Sequence, residues 1–106
     1  MMKTWNKAKI TVIKKSVSED FIQEFVEDYM KDNFLAGCDT FNLGQEFVLE
    51  RPNKPDSFCS WAWANIHRDL VGIMGGSSFP WIKREGVAII CCTDGLRPVV
   101  FKIERI

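Results

Sequence analysis

The sequence predicts a small α+β domain with the element order β-α-β-α-β-β and a C-terminal antiparallel hairpin. Two segments, 21–30 and 58–74, repeat their apolar residues at helical spacing; short alternating or β-branched segments flank them, and Asp94-Gly95 separates the last two of these. A length of 106 residues with 46% hydrophobic content suits a single domain, 1–106, around one core. No internal repeat, low-complexity tract or linker divides it.

Lys9 to Val17 alternates around Ile10, Val12 and Ile13 and reads as the first strand. A helix then starts near residue 18, either through a capping box of Ser16 with Glu19 or through Ser18 ahead of Glu19 and Asp20. Phe21, Ile22, Phe25, Val26, Tyr29 and Met30 give this helix an apolar stripe for the core, with Glu24, Glu27 and Asp28 on the wet side. Gly37 ends the region, and the loop composition of 37–44 leaves Cys38 in a loop anchored by Phe41 and Leu43. Gln45 to Glu50 is a short strand, stopped by Pro52 and Pro55.

The second helix runs from Ser57 to Met74, capped by Asp56 or Ser57 and ended by Gly75 and Gly76. Phe58, Ala62, Ile66, Leu70 and Ile73 or Met74 form its buried stripe, while Trp61, Asn65 and Arg68 share another side. Val87 to Cys92 is an uninterrupted apolar run, which suits a central strand buried on both faces. Val99 to Ile106 returns as an alternating strand, and Pro98 pushes it toward the sheet edge.

Fourteen basic and fourteen acidic side chains cancel, which removes the electrostatic footprint of nonspecific nucleic-acid binding. The N-terminus has lysines at 3, 7 and 9 and no apolar run, so neither a signal peptide nor a membrane anchor is expected and the chain reads as cytoplasmic. The charge is uneven: residues 1–17 hold five lysines and no acid, whereas 18–32 hold six acids against Lys31 alone. Such segments pair within the monomer, face solvent, or present complementary surfaces to a partner.

The four cysteines, Cys38, Cys59, Cys91 and Cys92, are the main chemical lead, because cytoplasmic thiols are buried apolar groups, metal ligands or reactive groups before they are disulfides. No C-x-x-C pair prearranges a zinc site. Cys38, Cys59 and one of Cys91 or Cys92 all fall at element boundaries and are free to converge as a three-thiolate site, with His67, Asp94 or an outside ligand in the fourth position. Strand alternation sends Cys91 and Cys92 to opposite faces. Cys59, in the first helical turn, is the expected reactive thiol, and Cys91, inside the apolar run, the expected inert one. His67 lies about two turns from Cys59 on the same helix, which disfavours a Cys-His couple. Asp94 beside Gly95 reads as a turn residue. Gly75-Gly76-Ser77-Ser78 lacks the lysine and context of a phosphate loop.

Four tryptophans and eight phenylalanines are many for so small a core. Trp63 lies close to the buried stripe; Trp61 and Trp81 are the candidates for a groove or a contact between subunits.

Three segments carry a resemblance: Cys38-Asp-Thr-Phe-Asn-Leu-Gly-Gln-Glu-Phe47, Phe58-Cys-Ser-Trp-Ala-Trp63, and Cys92-Thr-Asp-Gly95 leading into Pro98-Val-Val-Phe-Lys-Ile-Glu-Arg105. Over residues 8–106 their order resembles a family of small uncharacterised bacterial and archaeal proteins with a Cys ahead of a short Gly-Gln strand start, a Cys opening an Ala-containing helix, and a Cys-x-Asp before the last strand. The resemblance implies a pattern rather than an activity, and selects Cys38, Cys59 and Cys92 with Asp94. The leading expectation is an accessory protein whose three cysteines hold zinc or an iron-sulfur cluster or share redox chemistry. The alternatives are a homo-oligomeric interaction module with an aromatic surface and buried structural thiols, and an enzyme using Asp94 or Cys59 in a pocket between the second helix and the sheet.

Overall fold

The computed structural model describes residues 4–106; Lys3, counted with the basic N-terminal stretch, lies outside them. Four strands, β1 (Ala8–Lys15), β2 (Glu46–Leu49), β3 (Val87–Cys91) and β4 (Val99–Arg105), form one antiparallel sheet in the order β2-β1-β4-β3. The long helix α3 (Ser60–Met74) lies on one face of it. The element order and the C-terminal hairpin are those the sequence predicts, and the fold is α+β.

Opposed residues of neighbouring strands share a face, so the rows Phe47-Ile10-Ile103-Ala88 and Val12-Phe101-Ile90 line up beneath α3. Ala62, Ile66, Leu70, Ile73 and Met74 bury themselves against these rows. Alternation with Val12 turns Ile13 outward, and a bulge between Val12 and Lys14 then keeps Lys14 outward as well. The other face of the sheet carries an ion network centred on Glu104, whose carboxylate takes Lys9, Lys102 and Arg84 while Lys9 also reaches Glu46.

Two sequence expectations about the sheet are reversed. The apolar run at 87–92 is not central: β3 is an edge strand that buries Val87 and Ala88 but leaves Ile89 and Cys91 exposed. Its neighbour β4 is the interior strand, with Val99, Phe101 and Ile103 fully buried. Pro98 does not force an edge because it precedes the first ladder residue, so no ladder N–H is missing, and its carbonyl accepts the N–H of Ser16 at 2.9 Å.

The first helical region also departs from expectation. Instead of one helix it forms α1 (Glu19–Phe25), a 3-10 turn at Asp28–Met30 and α2 (Lys31–Leu35), broken where Val26 and Glu27 take extended backbone. Ser18 is the N-cap but makes no side-chain capping bond. The apolar stripe does not pack on the core: Ile22 alone is buried, and Phe21, Phe25 and Tyr29 are exposed. Without that packing, a helix of this length has little to sustain it.

The ends of α3 fix what surrounds them. Its N-cap is Cys59, two or three residues later than Ser57 or Asp56 would place it, because Phe58 N–H already closes a turn onto the Pro55 carbonyl. At the far end, Asn6 donates twice to the Met74 carbonyl, and Arg105 donates to the carbonyls of Ile73 and Ser77. Gly86, at φ +71°, passes so close to the Arg105 guanidinium that a Cβ there would lie 2.9 Å from it.

Candidate functional site

Three chain segments meet at the N-terminal end of α3 and enclose a cavity of about 110 Å³. The loop after α2 brings Cys38, the helix start brings Cys59 and Trp61, and the turn between β3 and β4 brings Cys92 and Asp94. Cys38, Cys59 and Cys92, distant in sequence, therefore line one space.

Each thiol is placed by a neighbour with a structural reason to be there. Phe41, buried in the core, meets Phe58 and Phe101 edge-on at centroid separations of 4.9 and 5.1 Å, and so pins the loop that carries Cys38. Gly44 N–H donates to the Val12 carbonyl at 2.8 Å and holds the other end of that loop to β1. Phe58, buried beside Cys59, packs against Trp63 and accepts Lys54 Nζ at its carbonyl. Cys92 continues the ladder past β3: its N–H donates to the Val99 carbonyl at 3.0 Å, and Val99 N–H donates to its Sγ at 3.3 Å.

Asp94 is a turn residue, as its sequence context predicts. Its Oδ1 accepts the N–H groups of Leu96 and Arg97, and its Oδ2 accepts Arg97 Nε at 3.2 Å. Partial burial works to raise its pKa, but these backbone and guanidinium donors prevail and hold the carboxyl below its ordinary value. The Arg97 guanidinium also lies over the Phe34 ring at 4.1 Å, which joins α2 to the turn. An anchored, ionised Asp94 is suited to shaping the cavity wall rather than to proton transfer.

All four cysteines are free thiols; Cys38, Cys59 and Cys92 are half-buried. Among the described residues no three His, Cys, Asp or Glu side chains stand as a ligand set for a metal ion. The expected zinc or iron-sulfur trio thus shares a pocket without forming a ligand set. Cys92 lines the cavity and Cys91 does not; Cys91 is exposed, not the buried thiol expected of a central strand. Its S–H donates to the Cys92 carbonyl at 3.1 Å; burial and then the charge and hydrogen bonding of Cys92 raise its pKa.

Trp61 and Trp81 are both exposed but do not share a groove. Trp61 lines the cavity, whereas Trp81 stacks on Phe79 at 5.1 Å beyond the other end of α3, a helix about 20 Å long at the usual rise. His67 lies beside Trp63, outside the cavity. Sequence reasoning missed Thr40 and Arg97 as lining residues and Asn65 as the acceptor for Thr93 N–H at 2.9 Å. The Asp94–Arg97 spacing was the available signal for Arg97.

Comparison with protein-family models, curated proteins and solved structures finds no match to the chain. Among the described residues no helix is long and apolar enough to cross a membrane.

Proposed function

We propose that the chain is a small cytoplasmic accessory protein that works by shared redox chemistry of Cys38, Cys59 and Cys92. The convergence of these three free thiols on one cavity carries the reading. The resemblance to the small bacterial and archaeal family, which selects the same trio, belongs to the same proposal. Free thiols suit a reducing compartment.

The cavity's size favours a small oxidant over a bulky thiol. A volume of about 110 Å³ holds a few water-sized molecules, so it admits hydrogen peroxide and excludes a tripeptide. In the proposed step two of the thiols lose two electrons and two protons and form one S–S bond, while one peroxide becomes two waters. Cys59, the N-cap residue of α3 and a wall of the cavity, is assigned the first attack. The third thiol lines the same cavity.

The test is peptide mass mapping after stoichiometric peroxide, on wild type and Cys59→Ser purified anaerobically. The expected result is one internal disulfide within the trio, lost in Cys59→Ser, with Cys91 still reduced. Absence of any disulfide within the trio overturns the reading. So does stoichiometric metal in wild type that disappears in Cys59→Ser, which would make the trio a metal centre.

A further inference from the structure

The oppositely charged segments at the start of the chain do not neutralise one another within it. Among the described residues, Glu19, Asp20, Glu24 and Glu27 have no ion-pair partner, and neither have Lys14 and Lys15; Asp28 alone of the acids on α1 and the turn after it is paired, with Lys31 at 2.8 Å. Exposed apolar side chains run through the same stretch. Ile13 and Val17 accompany the lysines, and Phe21, Phe25 and Tyr29 accompany the acids, the last two 71% and 84% exposed. Phe21 and Phe25 lean on each other, with centroids 6.4 Å apart, rather than on the core.

We propose that this stretch is the interface of a homodimer in which α1 of each copy lies against Lys14 and Lys15 at the end of β1, and Val17 just after it, in the other. The patch holds a basic apolar half directly followed by an acidic aromatic half. A two-fold axis between two copies sets each half against its complement, which is the requirement of an isologous interface. A patch of one sign would instead call for a foreign partner of the other sign. The formal net charge of +0 leaves no overall repulsion between copies. Burying Phe21, Phe25 and Tyr29 would supply the packing that α1 lacks in the single chain, and aromatic side chains are what such interfaces concentrate. These residues are separate from the thiol cavity, so the dimer and the redox reading stand or fall independently.

Light scattering on the full chain, coupled to gel filtration, tests this with a charge exchange. Wild type is expected at twice the chain mass. Lys14→Glu with Lys15→Glu, and separately Glu24→Lys with Glu27→Lys, are each expected at one chain mass, with unchanged circular dichroism. Mixing the two variants restores twice the chain mass, because the lysines introduced in one copy then meet the glutamates introduced in the other. Phe25→Ser with Tyr29→Ser, changes at exposed positions, is expected to give one chain mass and provides a readout if a charge variant fails to fold. The proposal is overturned by a wild type that stays at one chain mass, by charge variants that keep the doubled mass, or by a mixture that remains at one chain mass.

Discussion

Asn65, in the first half of α3, accepts the backbone N–H of Thr93 at 2.9 Å and the Thr93 hydroxyl at 3.3 Å. These bonds tie the helix that starts at Cys59 to the turn that follows Cys92, and so set the spacing of two thiols that the chain separates by a helix, a loop and a strand.

Asn65→Ala is expected to cost about 1 kcal/mol, the usual worth of a partly exposed neutral hydrogen bond. Its larger effect should fall on the cavity. With the turn released from α3, peroxide-driven pairing of Cys59 should slow while alkylation of Cys91 stays as in wild type. Urea unfolding measures the first effect and timed mass mapping the second. A variant that loses stability but pairs its thiols at the wild-type rate would show that Asn65 does not position the site.

Cys91 offers a test of exposure against reactivity. It is the most accessible of the four thiols, but burial of its sulfur and then the adjoining Cys92 push its pKa up, and the nucleophile is the thiolate. A raised pKa means less thiolate at any given pH, so its alkylation by iodoacetamide should reach half its limiting rate above the ordinary cysteine value of 9.0. Cys92→Ser removes the neighbouring charge and should move that midpoint down. An unmoved midpoint would leave burial as the sole cause.

The contrast between β3 and β4 shows what was legible in the sequence. Alternation, the apolar run at 87–92, glycine stops and Asp94-Gly95 located all four strands and α3, because they are local signals that the observed backbone obeys. Strand order depends on which strand finds partners on both sides, and the apolar run of β3 says nothing about that. Phe25 and Tyr29 carry the same lesson: their spacing is helical, but a period cannot say whether a stripe has anything to pack against. Of the site, Cys38, Cys59 and one of Cys91 or Cys92 were legible from element boundaries and Trp61 from the surplus of aromatic residues, whereas Cys92 was selected only by the family resemblance. Asn65 as a tether and Arg97 as a wall were not, since their roles depend on a turn and a helix meeting in space.

Glu104 should make the fold sensitive to acid. Burial works to raise its pKa, but hydrogen bonds from Arg84 and Lys102 and the charge of those groups lower it below the ordinary value of 4.5. The folded state therefore binds its proton less readily than the unfolded chain. The resulting stability is fully present above 4.5 and is lost as the pH falls through the lower folded value. Arg84 is largely exposed, so solvent screening keeps the contribution near 1 kcal/mol. Glu104→Gln should lower stability at neutral pH by about that amount and flatten the acid limb of a denaturation series. A variant with the wild-type acid limb would assign acid sensitivity to other carboxylates.

Phe41 joins stability to the site more directly than any other core residue. It lies at the centre of an aromatic cluster with Phe47, Phe58 and Phe101, and it also lines the thiol cavity. Phe41→Ala removes most of a buried ring, with an expected cost of about 3–5 kcal/mol. The space it vacates adjoins the cavity between Cys38 and Cys59, so the thiols lose a wall as well as an anchor. Phe41→Leu retains most of the apolar volume and should cost about 1 kcal/mol. If the anchor matters for the chemistry, thiol pairing in Phe41→Leu should fall further than its stability does, as read by mass mapping beside a urea melt. Pairing that tracks stability across both variants would mean that Phe41 supports the fold alone and that the loop holds Cys38 in place without it.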